Sequence, residues 1–205
     1  MKGTIHMHLR MPLLLFCAAA CASFCACSRR TGDTSQTQTG AIYHAALVDS
    51  IASYAFSPNG GSGDVQRLKT KKYLFIYFDA HQDDSSQNFT TKLVEFYDNT
   101  CKNGDNDIGV IFVSADRSQQ DMNAFMRDTA MPWPGVRVNT VASIELRQRY
   151  AGPDMPCLVL LDENDKALAS SYDEAGKYLS TRPIAAYQKL KSAEQKKARG
   201  KRLKD

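Results

Sequence analysis

The sequence predicts an α/β fold with a mixed central sheet, because buried strands alternate with helical segments along the chain. Three runs are almost entirely apolar, as expected of strands that are buried on both faces: 73–78, 108–113 and 157–161. Apolar residues recur at helical spacing over 86–102 and 119–127, which indicates a βαβ core. A turn at 162–165 then leads into an antiparallel partner at 166–172, and this last pair makes the sheet mixed.

The two flanks of this core carry further predictions. Ile144, Leu146 and Tyr150 suit another helix, and a final helix begins near Pro183. The N-terminal flank has a less regular pattern. We expect a strand or short helix within 41–56, followed by a hairpin that turns at Asn59-Gly60-Gly61.

The first 27 residues have the pattern of an export signal. Lys2 and Arg10 precede an apolar run that is too short to span a bilayer and ends in small residues and cysteine. Four of the six cysteines lie in this segment, and small residues precede them as in the signals of bacterial lipoproteins. We predict a lipoprotein-type signal peptide at 1–27, acylated at Cys27 or alternatively at Cys21. A conventional secreted protein or an uncleaved anchor are the other interpretations.

Composition divides the remaining chain into three parts. We expect a flexible Ser/Thr/Gln/Gly-rich tether at 28–40, a folded domain at 41–185 and a basic helix or tail at 186–205. The tail holds eight Lys and Arg residues against two acidic ones, so the chain's formal charge of +4 originates there. A solvated helix end is the simplest interpretation, and contact with anionic lipid head groups or another polyanion is the alternative. With Tyr187 as its single aromatic residue, the tail does not predict nucleic-acid binding.

Three motifs, in the same order, resemble the tryparedoxin/nucleoredoxin group of thioredoxin-like proteins. Residues 77–80 (Tyr-Phe-Asp-Ala) and 93–97 (Leu-Val-Glu-Phe-Tyr) resemble the active-site strand and helix of that group. Residues 131–133 (Met-Pro-Trp) resemble its Met-Pro-Trp segment, and 155–158 (Met-Pro-Cys-Leu) resemble its cis-proline loop. The resemblance spans 68–172 and implies a thioredoxin-like three-layer α/β/α fold in which Pro156 is cis.

The position of the family's redox dithiol is where this sequence departs from the resemblance. The alignment places Gln82 at the family's tryptophan, Asp83 at its attacking cysteine, Asp84 and Ser85 at its two prolines, and Ser86 at its resolving cysteine. In this fold the helix N-terminus activates the attacking cysteine by lowering its pKa. An aspartate cannot attack a disulfide sulfur, and a serine has no accessible redox couple. Ordinary CxxC chemistry is therefore not expected.

Two roles are open to the acidic residues at this position. Asp83 or Asp84 could cap the first long helix, with Gln87 completing a capping box that starts at Asp84. Alternatively, His81, Asp83 and Asp84 could hold a divalent cation or transfer a proton, if another ligand came from elsewhere in the fold. We favour capping, because three residues so close around a turn rarely point at one centre. No cofactor is predicted.

Cys157 is the thiol with the best claim on chemistry, because it directly follows the expected cis-proline. A buried and inert cysteine at the start of a strand is the favoured interpretation, and a reactive thiol is the alternative. Cys101 should lie at the end of the first long helix, at the opposite edge of the sheet. A Cys101–Cys157 disulfide is therefore not expected.

The resemblance implies a partner-binding face around the cis-proline, formed by Gln82, Trp133, Met155 and Pro156. In thioredoxin folds the backbone before this proline pairs with an extended peptide as a strand would. Trp133 either fills a hydrophobic gap beneath the face or contacts the partner.

These observations predict an exported protein of the bacterial cell envelope, lipid-anchored and facing the periplasm, that binds a protein or peptide partner without redox turnover. One alternative is a thiol-disulfide or peroxide-reducing enzyme that uses Cys157. Another is a purely structural envelope lipoprotein. The identity of the partner and the oligomeric state stay open.

Overall fold

A computed structural model describes residues 41–57, 63–81 and 84–203. The predicted signal peptide at 1–27, the tether at 28–40 and the turn at Asn59-Gly60-Gly61 lie outside these residues. Within them, none of the helices combines the length and the apolar character that crossing a membrane requires.

Strands and helices alternate along the described chain. The strands are β1 (Ala55–Phe56), β2 (Tyr73–Asp79), β3 (Ile108–Ser114), β4 (Gly135–Val136), β5 (Cys157–Leu161) and β6 (Ala167–Ser170). The helices are α1 (Ala45–Ile51), α2 (Gly63–Arg67), α3 (Asp84–Lys102), α4 (Gln119–Asp128), α5 (Val141–Tyr150) and α6 (Arg182–Arg202). A short 3-10 turn at Leu68–Thr70 precedes β2.

The strands form one mixed sheet in the order β1-β4-β3-β2-β5-β6. Strands β2, β3 and β4 are parallel, whereas β5 runs antiparallel to β2 and β6 runs antiparallel to β5. The register pairs Asp79 with Ser114 and Phe78 with Cys157. The ends of β2 and β3 and the beginning of β5 therefore meet at one end of the sheet. The mixed sheet, the three apolar strands and the turn into β6 are confirmed.

Helices cover both faces of the sheet and give the predicted three layers. The first face packs against helices α1 and α5, and its sheet residues include Leu74, Ile76 and Phe78. The second face packs against α3, α4 and α6, and its sheet residues include Phe75 and Tyr77. Side chains alternate across a strand, so this consecutive apolar run supplies both cores.

Local sequence signals set several helix boundaries. The hydroxyl of Ser118 accepts a hydrogen bond from the backbone N–H of Asp121 at the start of α4. Thr140 and Ser143 form a reciprocal capping box at the start of α5. Pro183 lies in the first turn of α6, where its missing N–H costs nothing. This last helix then continues without a break across the predicted boundary between 185 and 186.

The hairpin predicted for the N-terminal flank is wrong. The flank forms α1 and then the two-residue strand β1, and β1 pairs with β4, with Ala55 opposite Val136. The two strands are about eighty residues apart in the chain. Sequence patterns report local pairing well, but the edge of a sheet can be completed by any segment that reaches it.

Candidate functional site

The candidate site lies where β2 and β3 end and β5 begins. The Met155–Pro156 peptide bond is cis, as the resemblance implied, and it immediately precedes β5. Met155 is partly exposed, whereas Pro156 is buried. The loop 151–156 thus carries its backbone to the surface at the end of the sheet where α3 begins.

The residues at the position of the missing dithiol are only partly covered by the structure. Gln82 and Asp83 lie outside the described residues, and Asp84, Ser85 and Ser86 form the first residues of α3. Helix α3 therefore starts where the resemblance places the family's active-site helix. The proposed capping by Asp83 or Asp84, and the cation site with His81, stay predictions. Among the described residues there is no group of three or more His, Cys, Asp or Glu side chains that could hold a metal ion.

The backbone of Met155 in the cis-proline loop is unpaired. The N–H of Ala151 donates to the carbonyl of Arg147, and the N–H of Gly152 donates to Sγ of Cys157 at 3.3 Å. The N–H of Asp154 donates to the hydroxyl of Tyr172 at 2.6 Å. Within the described chain, neither the N–H nor the carbonyl of Met155 has a hydrogen-bond partner. Because backbone groups nearly always find partners, Met155 offers one donor and one acceptor to an incoming strand.

Two tyrosines from the segment after β6 hold this loop in place. The hydroxyl of Tyr172 accepts the Asp154 N–H and donates to Oδ2 of the same residue at 2.8 Å. The hydroxyl of Tyr178 donates to the carbonyl of Pro156 at 2.6 Å. The two rings lie 5.3 Å apart, and residues 172 and 178 form an isolated antiparallel bridge. We call Tyr172 and Tyr178 the tyrosine clamp.

Cys157 is a buried thiol, as the favoured interpretation expected. Its side chain is fully shielded from solvent. Burial raises the pKa of Cys157, and this outweighs the Gly152 N–H and the Ser171 hydroxyl, which both favour the thiolate. A nucleophilic cysteine needs solvent access and a lowered pKa. Neither property is present, so the geometry opposes the monothiol mechanism.

Cys101 lies near the end of α3 and is half-buried. Both Cys101 and Cys157 are free thiols, which confirms that they do not form a disulfide with each other. The hydrogen bond from Gly152 instead makes Cys157 part of the packing that supports the cis-proline loop.

The assignment of Trp133 to the binding face is wrong. Its side chain is only 1% exposed and belongs to the core on the α3/α4/α6 side of the sheet, where it packs edge-on against Tyr97. The indole is large and apolar, so burying it in this core is more favourable than leaving it at the surface. Trp133 therefore fills a hydrophobic gap beneath the face, which is the first of the two interpretations given for it.

Two buried carboxylates beneath the site escaped the sequence analysis. Asp79 is fully buried at the end of β2, where Oδ1 accepts the Ala80 N–H at 2.8 Å and Oδ2 accepts the Tyr77 hydroxyl. Thr90 from α3 lies 2.6 Å from the Tyr77 oxygen. Since the Tyr77 proton goes to Asp79, Thr90 donates to Tyr77. Burial and the nearby Asp79 charge together raise the pKa of Tyr77 well above its ordinary value.

Asp116 performs a similar task just beyond β3. Its Oδ1 accepts the backbone N–H of His81 at 2.9 Å, and its Oδ2 accepts the Ser114 hydroxyl at 2.7 Å. The chain that leads into α3 is thereby tied to the end of β3. The signal for both carboxylates was present in the sequence, since Asp79 ends one apolar strand run and Asp116 follows two residues after the polar end of another.

Comparisons with known proteins agree with this geometry. A family model described as thioredoxin-like matches residues 71–167. The probable nucleoredoxin 3 of Arabidopsis thaliana is 26% identical over 128 residues, which is 62% of this chain and 32% of that protein. The chain thus spans about a third of the length of this relative.

A solved thioredoxin structure has the same fold. Thioredoxin from Wuchereria bancrofti superimposes with a TM-score of 0.51 at 22% identity, covering 68% of this chain and 94% of the other. Tryparedoxin I from Leishmania major is 26% identical with a TM-score of 0.45, covering 53% of this chain and 74% of the other. The strand order, the cis-proline and the family match show that the chain has a thioredoxin-like fold, and its sequence is similar to that of the nucleoredoxins.

Proposed function

We propose that this thioredoxin-like protein binds an extended segment of a protein or peptide partner at Met155 and cis-Pro156, without redox turnover. The observation that carries the proposal is that the backbone N–H and carbonyl of Met155 are unpaired at the surface end of the sheet. A partner strand would accept the Met155 N–H and donate to the Met155 carbonyl. Strand-like pairing of this kind supplies affinity through the backbone and leaves selectivity to neighbouring side chains.

The absence of redox turnover rests on the sequence and on Cys157. Asp83 and Ser86 stand where the family's two cysteines would be, and neither residue can take part in thiol-disulfide exchange. Cys157 is buried with a raised pKa, so it lacks the thiolate character of a redox nucleophile. Without thiol-disulfide exchange, peptide binding is the function of the fold that we propose for this chain.

The location of the domain is part of the same proposal. A signal peptide at 1–27 with acylation at Cys27, or at Cys21, would anchor the protein to the cell envelope, and the tether at 28–40 would carry the domain away from the membrane. Metabolic labelling with a fatty-acid analogue tests this. Cys27→Ser should abolish labelling and Cys21→Ser should leave it, and the reverse pattern would assign acylation to Cys21. A wild-type protein that takes up no label would contradict the anchor.

The proposed function is tested first by binding. An array of randomised decapeptides is probed with the folded protein, and the affinity of the strongest sequence is then measured by fluorescence anisotropy. Met155→Pro removes the N–H that the partner strand would accept, and Met155→Ala, which keeps the N–H and removes most of the side chain, is its matched control. We expect the proline variant to lose binding and the alanine variant to retain it. Equal affinities would show that the Met155 backbone is not used.

Thiol chemistry is tested in parallel. Cys157 should react with a thiol reagent only after denaturation, and insulin reduction should be absent. Fast labelling that Cys157→Ser removes and Cys101→Ser leaves, together with disulfide exchange, would instead establish a monothiol enzyme.

A further inference from the structure

We propose that the tyrosine clamp, Tyr172 and Tyr178, positions the cis-proline loop so that Met155 presents its backbone N–H and carbonyl to the partner strand. The inference rests on the proposed function for its consequence, but the positioning itself is a property of the free protein. Neither tyrosine lies in the motifs that identify the fold, and both come from the segment between β6 and α6. Their role follows from where their hydroxyls and rings lie.

The two hydroxyls bind one backbone group of each residue next to Met155. Tyr172 takes the N–H of Asp154, which is the donor just before Met155. Tyr178 takes the carbonyl of Pro156, which is the acceptor just after it. The N–H that precedes Met155 and the carbonyl that follows it are therefore already used, while Met155 keeps its own N–H and carbonyl for a partner strand. Occupied neighbours of this kind favour one pairing register over the others.

The ring of Tyr172 also fixes the path of the loop. A methyl group placed on Gly152 would lie 2.0 Å from the Tyr172 ring, so the glycine backbone and the ring are in direct contact. Gly152 in turn donates its N–H to Sγ of Cys157. The loop is thereby held from two sides, by the clamp outside and by the buried thiol beneath.

The clamp is braced by its own segment. Leu179 donates its N–H to the carbonyl of Ser171 at 2.7 Å, and Asp173 Oδ1 accepts the N–H groups of Ala175 and Lys177. Arg182, at the start of α6, donates to Asp173 Oδ2 at 3.2 Å. The two tyrosines therefore belong to a hydrogen-bonded turn that is fixed to the start of α6.

Replacing each tyrosine by phenylalanine removes one hydroxyl and keeps the ring, which isolates the clamp. Tyr172→Phe leaves the Asp154 amide without its acceptor. Its hydrogen exchange should become at least about five-fold faster, the effect of losing one ordinary hydrogen bond. Tyr178→Phe should shift the amide resonance of Cys157, because that amide shares a peptide unit with the Pro156 carbonyl. Both variants should weaken binding of the array-selected decapeptide by about five-fold or more.

The matched control is Tyr187→Phe, which removes a tyrosine hydroxyl bonded to Asp105 at the other end of the sheet. All three variants should lower the melting temperature by similar amounts, but the control should leave the loop resonances and the peptide affinity unchanged. Unchanged Asp154 exchange in Tyr172→Phe and an unchanged Cys157 resonance in Tyr178→Phe would overturn the clamp. A wild-type protein that binds no decapeptide would overturn the proposed function, and the exchange rates and resonances would still decide the clamp.

Discussion

The two ends of the central sheet are held together in different ways. At the cis-proline end, the carboxyl groups of Asp79 and Asp116 accept from neutral donors, and tyrosine hydroxyls bind the loop backbone. At the opposite end, ion pairs tie α6 to the beginnings of β2 and β3: Lys72–Glu194 at 2.5 Å, Lys191–Asp107 at 2.7 Å and Lys191–Asp105 at 3.3 Å. At the α6 end the charged side chains pair with one another, whereas at the cis-proline end the backbone N–H and carbonyl of Met155 have no partner within the described chain.

This difference separates stability from recognition. The α6 end adds a buried aromatic residue, Tyr187, whose ring packs edge-on against Tyr73, Phe75 and Phe96. These charged and aromatic side chains bind α6 to the sheet. The groups at the cis-proline end instead hold a loop whose central residue stays available. We therefore expect substitutions at the α6 end to change stability alone, and substitutions at the clamp to change binding.

The largest expected effect is at the α6 end. Tyr187→Ala removes a buried ring that is 2% exposed, together with its hydrogen bond to Asp105. The free energy of unfolding should fall by about 3–5 kcal/mol, because the cavity cannot be refilled by the surrounding rings. Chemical denaturation measures this loss. Peptide affinity, measured well below the midpoint of unfolding, should not change, and a parallel loss of affinity would show that the two ends are coupled.

An intermediate effect is expected at the clamp. Gly152→Ala forces a methyl group into the Tyr172 ring, which must move away from Asp154. Such overpacking costs about 1–3 kcal/mol, and the decapeptide affinity should fall with it. Gly200→Ala in the exposed part of α6 is the control, because no atom lies within 4 Å of the added methyl group. It should slightly stabilise the helix. If Gly152→Ala lowers stability but leaves affinity intact, the loop does not need the clamp.

A smaller effect is expected from the ion pair that joins Lys72 to α6. Hydrogen bonds from Lys72 and Tyr73 lower the pKa of Glu194 in spite of its partial burial. Its contribution to stability is therefore present above its ordinary pKa of about 4.5 and is lost as the pH falls through the lowered value. Glu194→Gln should cost about 0.5–1 kcal/mol at neutral pH, since the pair is partly exposed. The difference in melting temperature should vanish in acid, and a constant difference would contradict this ion pair.

The smallest effect concerns the clamp in alkali. Burial and the hydrogen bond to Asp154 raise the pKa of Tyr172 to about 12. Its stabilising contribution is present below the ordinary tyrosine pKa of about 10 and is lost as the pH rises toward about 12. The ultraviolet titration of wild type minus Tyr172→Phe should show this late-ionising tyrosine. An ordinary midpoint would mean that the Tyr172–Asp154 hydrogen bond is absent in solution.

The clamp was not accessible to sequence analysis, whereas the core strands were. Strand β2 is apolar at consecutive positions because it is buried on both faces, and that pattern survives without any knowledge of its neighbours. Tyr172 and Tyr178 carry no such pattern. Their function depends on a loop about twenty residues earlier in the chain, and nothing in the local sequence indicates that they reach it.

The same distinction explains the error at Trp133. A tryptophan next to two prolines fits a surface loop as well as a buried one, and its sequence context does not distinguish them. The position of α3 decides, because that helix brings Tyr97 against the indole. The pairing of β1 with β4 was missed for a related reason, since two residues are too few to indicate which strand they join.

The sequence by itself determined the α/β class, the three buried strands, the start of α3 and, through resemblance, the cis-proline. These follow from short-range periodicity and from motifs, which the chain carries locally. Only the tertiary structure decided that Trp133 is buried, that Cys157 is shielded, and that two tyrosines bind the backbone on either side of Met155. Burial and hydrogen bonding are properties of which segments meet, and that depends on the packing of the whole sheet and its helices.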